Sequence, residues 1–424
     1  MQTSKAIGLA FLSLSLGLGS VVACSGTPRN AVFDDAGTEG GTLPTGDEAG
    51  ALFEDAAPQE DLSPRGTWTG TVYTPAGDIP VAGALVYLTP KKPDARPLTN
   101  FCDTCVPLEK SIPQTLSKAD GTFELVANRL GKQFMVIQKG QFRRVVEVDI
   151  KQEDVRVSRS DSTLPRQNDT ARGDQVPSVL IIDTDYDDIE NALDKLGIPR
   201  GTVVKDDDRM NEFRDPAKLD KYQIIFLPCG ECGTSNGGSG IFNPPSSHGQ
   251  GHAMDATVQA NLKAWVQKGG KLYVTDFAYS FLNETWKDYV RFAPSKGCES
   301  KSYDTPANID DPGLKAWLDA QGDRNVTFEN AWIKVEGVNE VTVPDGAGGM
   351  KKVVPKVWAY GNDNGKNRPM TLSFEDACGR VLYSAYHTEG DAIGGGGKLL
   401  AQEKALMYVL FEVSTCLVDP VIPK

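Results

Sequence analysis

Residues 221–279 carry the pattern that most constrains the fold. Tyr222-Gln-Ile-Ile-Phe-Leu-Pro228 is a strand-like run, continuously apolar from Ile224 to Leu227. After a loop bearing Cys229-Gly-Glu-Cys232 and His248-Gly-Gln-Gly-His252, the segment from Asn261 places Leu262, Trp265 and Val266 on one helical face and stops at Gly269-Gly270. Lys271-Leu-Tyr-Val-Thr275 is a second buried run, followed by Asp276. Strand, helix and strand, each buried, form the repeating unit of a parallel α/β sheet, because parallel neighbours need a crossover between them. Ligands of such sheets gather at the carboxyl ends of the strands, where these Cys, His and Asp residues fall.

A chain of 424 residues exceeds one ordinary core and suits two domains plus tails. Its net charge of −13 argues against a nucleic-acid partner. Much of that charge lies between Asp34 and Asp61, a stretch without Lys or Arg. Residues 25–65 hold few large apolar side chains, so they are expected to be a disordered acidic tether.

Residues 1–24 have the layout of a secretory signal peptide: Lys5, an apolar run from Ile7 to Val22, and small residues before Cys24. Val21-Val22-Ala23-Cys24 resembles the bacterial lipobox. The resemblance implies lipidation of Cys24, since several acyl chains are needed for stable anchoring. Ser25 implies outer-membrane sorting, with the protein facing the periplasm or the cell surface. Export predicts an oxidising environment, in which the other seven of the eight cysteines are first of all disulfide candidates. Seven is odd, so one thiol should be free, metal-bound or paired elsewhere.

From Gly66 to Ile150, short alternating strands are separated by turns such as Asp120-Gly121, the spacing of a small antiparallel β-sandwich. Gly70-Thr-Val72, Gly83-Ala84-Leu-Val86, Ala119-Asp-Gly-Thr-Phe123 and Gly131 resemble the carboxypeptidase regulatory-like (prealbumin-like) module, which implies a non-catalytic spacer or binding fold. An insertion at 91–113 carries Cys102-Asp-Thr-Cys105, expected to close a local disulfide; a zinc site and thiol exchange are the alternatives. The charged stretch 151–176 reads as a linker.

The predicted α/β domain spans 177–424, with an insertion of excursion strands at about 280–350, among them Ala331-Trp-Ile-Lys-Val335. Ser178-Val-Leu-Ile-Ile-Asp183, Ala192-Leu-Asp-Lys-Leu-Gly197, Leu219–Pro228, Trp265–Val274 and Gly379-Arg-Val-Leu-Tyr-Ser-Ala-Tyr-His387 resemble the class I glutamine amidotransferase-like superfold, in particular its trehalose-utilisation-protein-like (ThuA-like) branch. The expected architecture is thus multi-domain: an antiparallel β-sandwich, then a three-layer α/β domain with a mostly parallel sheet. In catalytic members of that superfold a Cys stands on a strained turn after the strand equivalent to 271–274, and a later His activates it. Here that turn holds Asp276, while His387 matches the later His. The resemblance therefore implies a frame without its nucleophile.

Other residues keep chemistry open. Cys229 and Cys232 suit a local disulfide, or zinc binding together with His248, His252 or His387. Asp183-Thr-Asp185-Tyr-Asp187-Asp188 superficially resembles a phosphatase Asp-x-Asp signature. The residue pattern itself favours capping of the next helix, with a Ca²⁺ site as a further alternative. Cys378 and Cys416 flank the last strand and helix and are expected to pair, leaving Cys298 over. The expected function is non-enzymatic binding or scaffolding in the cell envelope, with an envelope protein or glycan as partner. The alternative is a metal- or carboxylate-dependent hydrolase using Asp276, His387 and Asp183.

Overall fold

A computed structural model describes residues 61–103, 108–184, 187–205, 209–229, 256–294, 301–344, 349–388 and 399–413. Cys24, most of the tether, Cys105, Asp185, Cys232, His248, His252, Cys298 and Cys416 lie outside the described residues. The described segments belong to one contact unit.

The N-terminal part folds into seven strands: β1 (Thr67–Thr71), β2 (Leu85–Thr89), β3 (Gln114–Leu116), β4 (Thr122–Val126), β5 (Gly131–Lys139), β6 (Phe142–Ile150) and β7 (Val155–Arg156). They form a three-stranded sheet, β4-β1-β7, and a four-stranded sheet, β3-β2-β5-β6. Alternation along β4 buries Phe123 and Leu125 and exposes the residues between, as a half-buried antiparallel strand should. Trp68, Val86, Leu88, Met135 and Ile137 join the same hydrophobic core. On the other face Tyr87, Val136 and Val145 make a small second cluster with Leu108 and Ile112 of the 91–113 insertion. The 151–176 stretch, expected as a linker, carries β7, paired parallel to β1, and the helical turn α1 (Arg159–Ser162). Its charged residues find partners: Asp174 accepts from Arg144 Nη1 at 2.6 Å and from the Val145 amide at 2.8 Å.

The chain continues through β8 (Val179–Asp183), α2 (Ile189–Lys195), β9 (Thr202–Lys205), α3 (Arg209–Phe213), α4 (Pro216–Leu219), β10 (Ile224–Leu227), α5 (Ala256–Lys268), β11 (Lys271–Thr275) and α6 (Tyr279–Thr285). After these come β12 (Val290–Phe292), β13 (Tyr303–Pro306), β14 (Asn308–Ile309), α7 (Pro312–Gln321), β15 (Thr327–Ala331), β16 (Val335–Val338), β17 (Val341–Pro344) and β18 (Met350–Val353). Then β19 (Lys356–Asp363), β20 (Lys366–Asp376), β21 (Gly379–Ser384) and α8 (Ala401–Val413) complete it.

One eight-stranded sheet has the order β14-β19-β20-β21-β11-β10-β8-β9. The pairings from β21 to β9 are parallel, and those from β14 to β21 are antiparallel. The buried runs of the sequence become its centre, for β10 and β11 are buried at every position. The long hairpin β19-β20 adds to what the apolar runs predict. The 280–350 excursion contributes α7 and three two-stranded ribbons, β12-β16, β13-β15 and β17-β18. Ala331–Val335, expected as one strand, is split: Ala331 ends β15, Val335 begins β16, and residues 332–334 connect the two. The Trp332 and Ile333 amides bond a carboxylate from the main sheet rather than a neighbouring strand.

The cysteines differ from expectation. Cys102 and Cys378 form a disulfide across a sequence separation of 276 residues. Cys102 is therefore not the partner of Cys105, nor Cys378 of Cys416. Proximity in sequence favours short loops, but tertiary docking decides here. Asn100 Nδ2 donates to Trp265 O at 2.8 Å, Gln223 Nε2 to Pro97 O at 3.1 Å and Ser178 Oγ to Leu98 O at 2.8 Å. These bonds hold the 91–113 insertion against the edge of the α/β sheet, with Cys102 beside the β20-β21 turn. Among the described residues no helix is long and apolar enough to cross a membrane.

Candidate functional site

Strands β8, β10, β11 and β21 lie side by side and parallel, so their carboxyl ends open on one edge. Cys229 follows β10, Asp276 follows β11 and His387 follows β21. One donor atom from each of these three side chains lies within 4.8 Å of the others, and all three residues are buried. The sequence suggests Asp276 with His387 and Cys229 with His387 separately; the strand order brings all three together.

Asp276 occupies the turn after β11, where its φ is 39°, in the left-handed region that a non-glycine residue seldom enters. Such a conformation costs about 1–3 kcal/mol and persists only where surrounding contacts impose it. Those contacts are present. The Trp332 amide donates to Asp276 Oδ2 at 3.0 Å, the Ile333 amide to Oδ1 at 2.8 Å, and Tyr383 Oη to the Asp276 carbonyl at 3.2 Å. His387 Nε2 stands 3.3 Å from Oδ2. Burial raises the Asp276 carboxyl above its ordinary value, against the opposing pull of His387 and the two amides.

Burial also pushes the Cys229 thiol up to about 11, with His387 only partly offsetting it. For His387, burial disfavours the imidazolium, but the facing Cys229 and Asp276 outweigh it and hold the ring well above its ordinary value. Because a thiol titrating near 11 is neutral at pH 7, Asp276 is the partner that acts on the ring there. Cys229 is thus a buried thiol facing His387; Cys232, its partner in the expected staple, lies outside the described residues.

A second tier of polar groups fixes the strand ends. Thr275 Oγ1 donates to Asp187 Oδ2 at 2.6 Å and accepts the Cys229 amide at 2.7 Å. Asp187 Oδ1 accepts the Thr388 amide at 3.0 Å and also bonds the Thr388 hydroxyl. Thr184 Oγ1 donates to the Cys229 carbonyl at 2.7 Å. One buried carboxylate therefore ties together the segments that carry Cys229, Asp276 and His387. Sequence reasoning misses this role because Asp187 sits in an acidic run. The helix cap expected of that run is real, but it is Asp188 that accepts the Asn191 amide. Asp183 is exposed at the end of β8 and lies outside the cluster.

Of the expected catalytic pair, Asp276 and His387 are in contact. Of the expected zinc set, Cys229 and His387 lie within the described residues, and they meet, with Asp276 as the third donor. The donor set, one thiol, one carboxylate and one imidazole, suits zinc; Ca²⁺ requires six or more oxygens, which this cluster does not offer.

No protein-family model and no curated protein matches the chain. Among solved structures it is similar to a ThuA-like protein from Bacteroides uniformis, at 12% identity and a TM-score of 0.35, covering 55% of this chain and 90% of that one. A GMP synthase protein from Thermoplasma acidophilum aligns at 10% identity and a TM-score of 0.33, covering 56% of this chain and 93% of that one. The GH42 β-galactosidase Gan42B aligns at 14% identity and a TM-score of 0.30 over 57% of this chain, which spans only 30% of the enzyme's length.

Proposed function

We propose that the chain is a bacterial outer-membrane lipoprotein, anchored through Cys24, whose folded part binds or scaffolds in the cell envelope and does not catalyse. In this reading a regulatory-like β-sandwich at 66–150 precedes a three-layer, ThuA-like α/β domain at 177–424. One observation carries the non-catalytic part: the side chain at the elbow is fully buried, and each of its oxygens accepts a backbone amide. An aspartate so engaged ties the β15-β16 connector to β11 and presents no nucleophile. The nearby thiol is buried and protonated at neutral pH, so it does not replace the missing one.

An open cleft of about 880 Å³ supports a binding role. Three of the arginines that line it are engaged: Arg144 Nη1 donates to Asp174 Oδ2 at 2.6 Å, Arg159 Nε to Gly77 O at 2.7 Å and Arg166 Nε to Pro75 O at 2.8 Å. Such a cleft suits a weakly charged envelope glycan or peptide better than a polyanion. The test is alkylation of Cys229 by iodoacetamide at pH 7, alongside cosedimentation with isolated envelope fractions. The proposal expects alkylation only on unfolding, and retention by the envelope fraction even when Cys24→Ala abolishes acylation. Accelerated alkylation of the native thiol would overturn it.

The hydrolase alternative is favoured by one feature, the left-handed backbone of Asp276 with His387 beside it. It requires a hydrolysis that His387→Ala and Asp276→Asn abolish while the fold survives.

A further inference from the structure

The imidazole of His387 is 6% exposed, yet its Nε2 makes no aligned hydrogen bond. A buried polar atom left this way costs roughly 1–3 kcal/mol, which a fold retains where something outside the chain meets that atom. The neighbouring carboxylate meets it only as a long ion pair. At 3.3 Å, Asp276 Oδ2 is farther than the 2.7–2.9 Å typical of charge-assisted bonds. Two ligands held at about 2.0–2.1 Å around a tetrahedral ion, however, stand about 3.3 Å apart. The third donor is the Cys229 sulfur, in a group whose members are all within 4.8 Å of each other.

We propose that Cys229 Sγ, Asp276 and His387 Nε2 form a binding site for a divalent transition-metal ion of the zinc class. A thiolate with imidazole and carboxylate is a borderline-soft donor set, which selects such ions over Mg²⁺ or Ca²⁺. Asp276 can coordinate while keeping both amide bonds, because each carboxylate oxygen has two acceptor positions. A thiolate and a nitrogen on one ion lie about 3.6 Å apart, so Sγ moves inward by at most about 1 Å on binding.

The surroundings meet the other requirement of a metal site, ligands held in place from behind. Thr184 and Thr275 grip the Cys229 peptide on both sides, and Asp187 links Thr275 to Thr388, next to His387. The bound ion joins the ends of three adjacent parallel strands. Three protein ligands leave a fourth position for water or a small anion. The site stands independently of the binding or scaffolding role, since it concerns what Cys229, Asp276 and His387 hold rather than what the folded part docks onto.

The experiment uses the purified full chain with its disulfide intact, stripped by chelator and titrated with Co²⁺ alone. The expected result is one equivalent bound, with thiolate-to-cobalt charge-transfer absorption and tetrahedral d–d bands. Cys229→Ser, close to isosteric, should keep the fold by circular dichroism and lose the charge-transfer band. His387→Gln should weaken binding by at least the roughly 10–100-fold that loss of an outer-shell partner costs. Absence of stoichiometric binding in the wild type would overturn the site. So would a charge-transfer band that persists in Cys229→Ser, for the ion would then rest on other cysteines.

Discussion

Replacing both halves of the Cys102–Cys378 disulfide by serine tests how the molecule is held together. The bond closes a loop of 276 residues. On the chain-entropy account, a cross-link of that span lowers the free energy of folding by about 5.5 kcal/mol, by shrinking the unfolded ensemble. Part of that figure is lost wherever the unfolded chain stays compact, so a measured loss of about 2–5 kcal/mol is expected. Against a total stability of about 5–15 kcal/mol, this is a large share. The native contacts that surround the bond do not depend on it: Asn100, Gln223 and Ser178 keep their hydrogen bonds across the same seam. The double variant should therefore fold, with a lower urea midpoint and a steeper denaturant slope, because its unfolded state exposes more surface. Urea titration followed by tryptophan fluorescence measures both quantities. A stability change below about 1 kcal/mol would refute the reasoning, as would a non-reducing peptide map joining Cys102 to Cys105.

Lys271 is buried at the start of β11, and burial pulls its ammonium down to about 7, with Asp103 opposing and Arg380 and Arg96 adding to the effect. The unfolded chain holds that proton up to about 10.4, so stability should rise with pH between about 7 and 10. Lys271→Met should remove this slope and stabilise the protein below pH 7 by on the order of 5 kcal/mol at most; an unchanged slope in pH-dependent urea melts would count against the burial argument. Gly379→Ala should destabilise by about 3 kcal/mol or more, because a Cβ there would lie 1.9 Å from Val266 O and 2.4 Å from Gly270 O, both backbone atoms that cannot rotate away. A thermal shift near zero would show that β21 can move outward. Lys195 Nζ and Glu403 Oε1, 3.0 Å apart, join α2 to α8, and the carboxylate is fully buried. Glu403→Gln should cost about 3–5 kcal/mol by leaving the ammonium without its counter-charge, a loss that Lys195→Met in the same chain should largely reverse.

Some of this was legible in the residues themselves. The apolar runs at 179–182, 224–227 and 272–274 are strands because short continuous apolar sequence between turn signals is buried on both faces. The Gly-Gly stop after Trp265 ends a helix for local backbone reasons. The alternation around Phe123 likewise determined a half-buried strand. Asp276 and His387 could be named as a pair from the resemblance, and the sheet does bring them within 3.3 Å.

The rest required the tertiary structure. Which cysteines bond depends on where the 91–113 insertion docks, a matter of long-range packing that spacing does not encode. Cys229 was legible as a strand-end thiol with Cys232 or one of three histidines as partner; the order β21-β11-β10 selects His387 and adds Asp276. Asp187 looks like one of several acidic caps and is the buried tie among three strand ends. Local sequence determines which segments become strands and helices, because period and turn chemistry act over a few residues. The chemistry of a site at strand ends is decided by which strands become neighbours, and in a parallel sheet those neighbours can be more than a hundred residues apart.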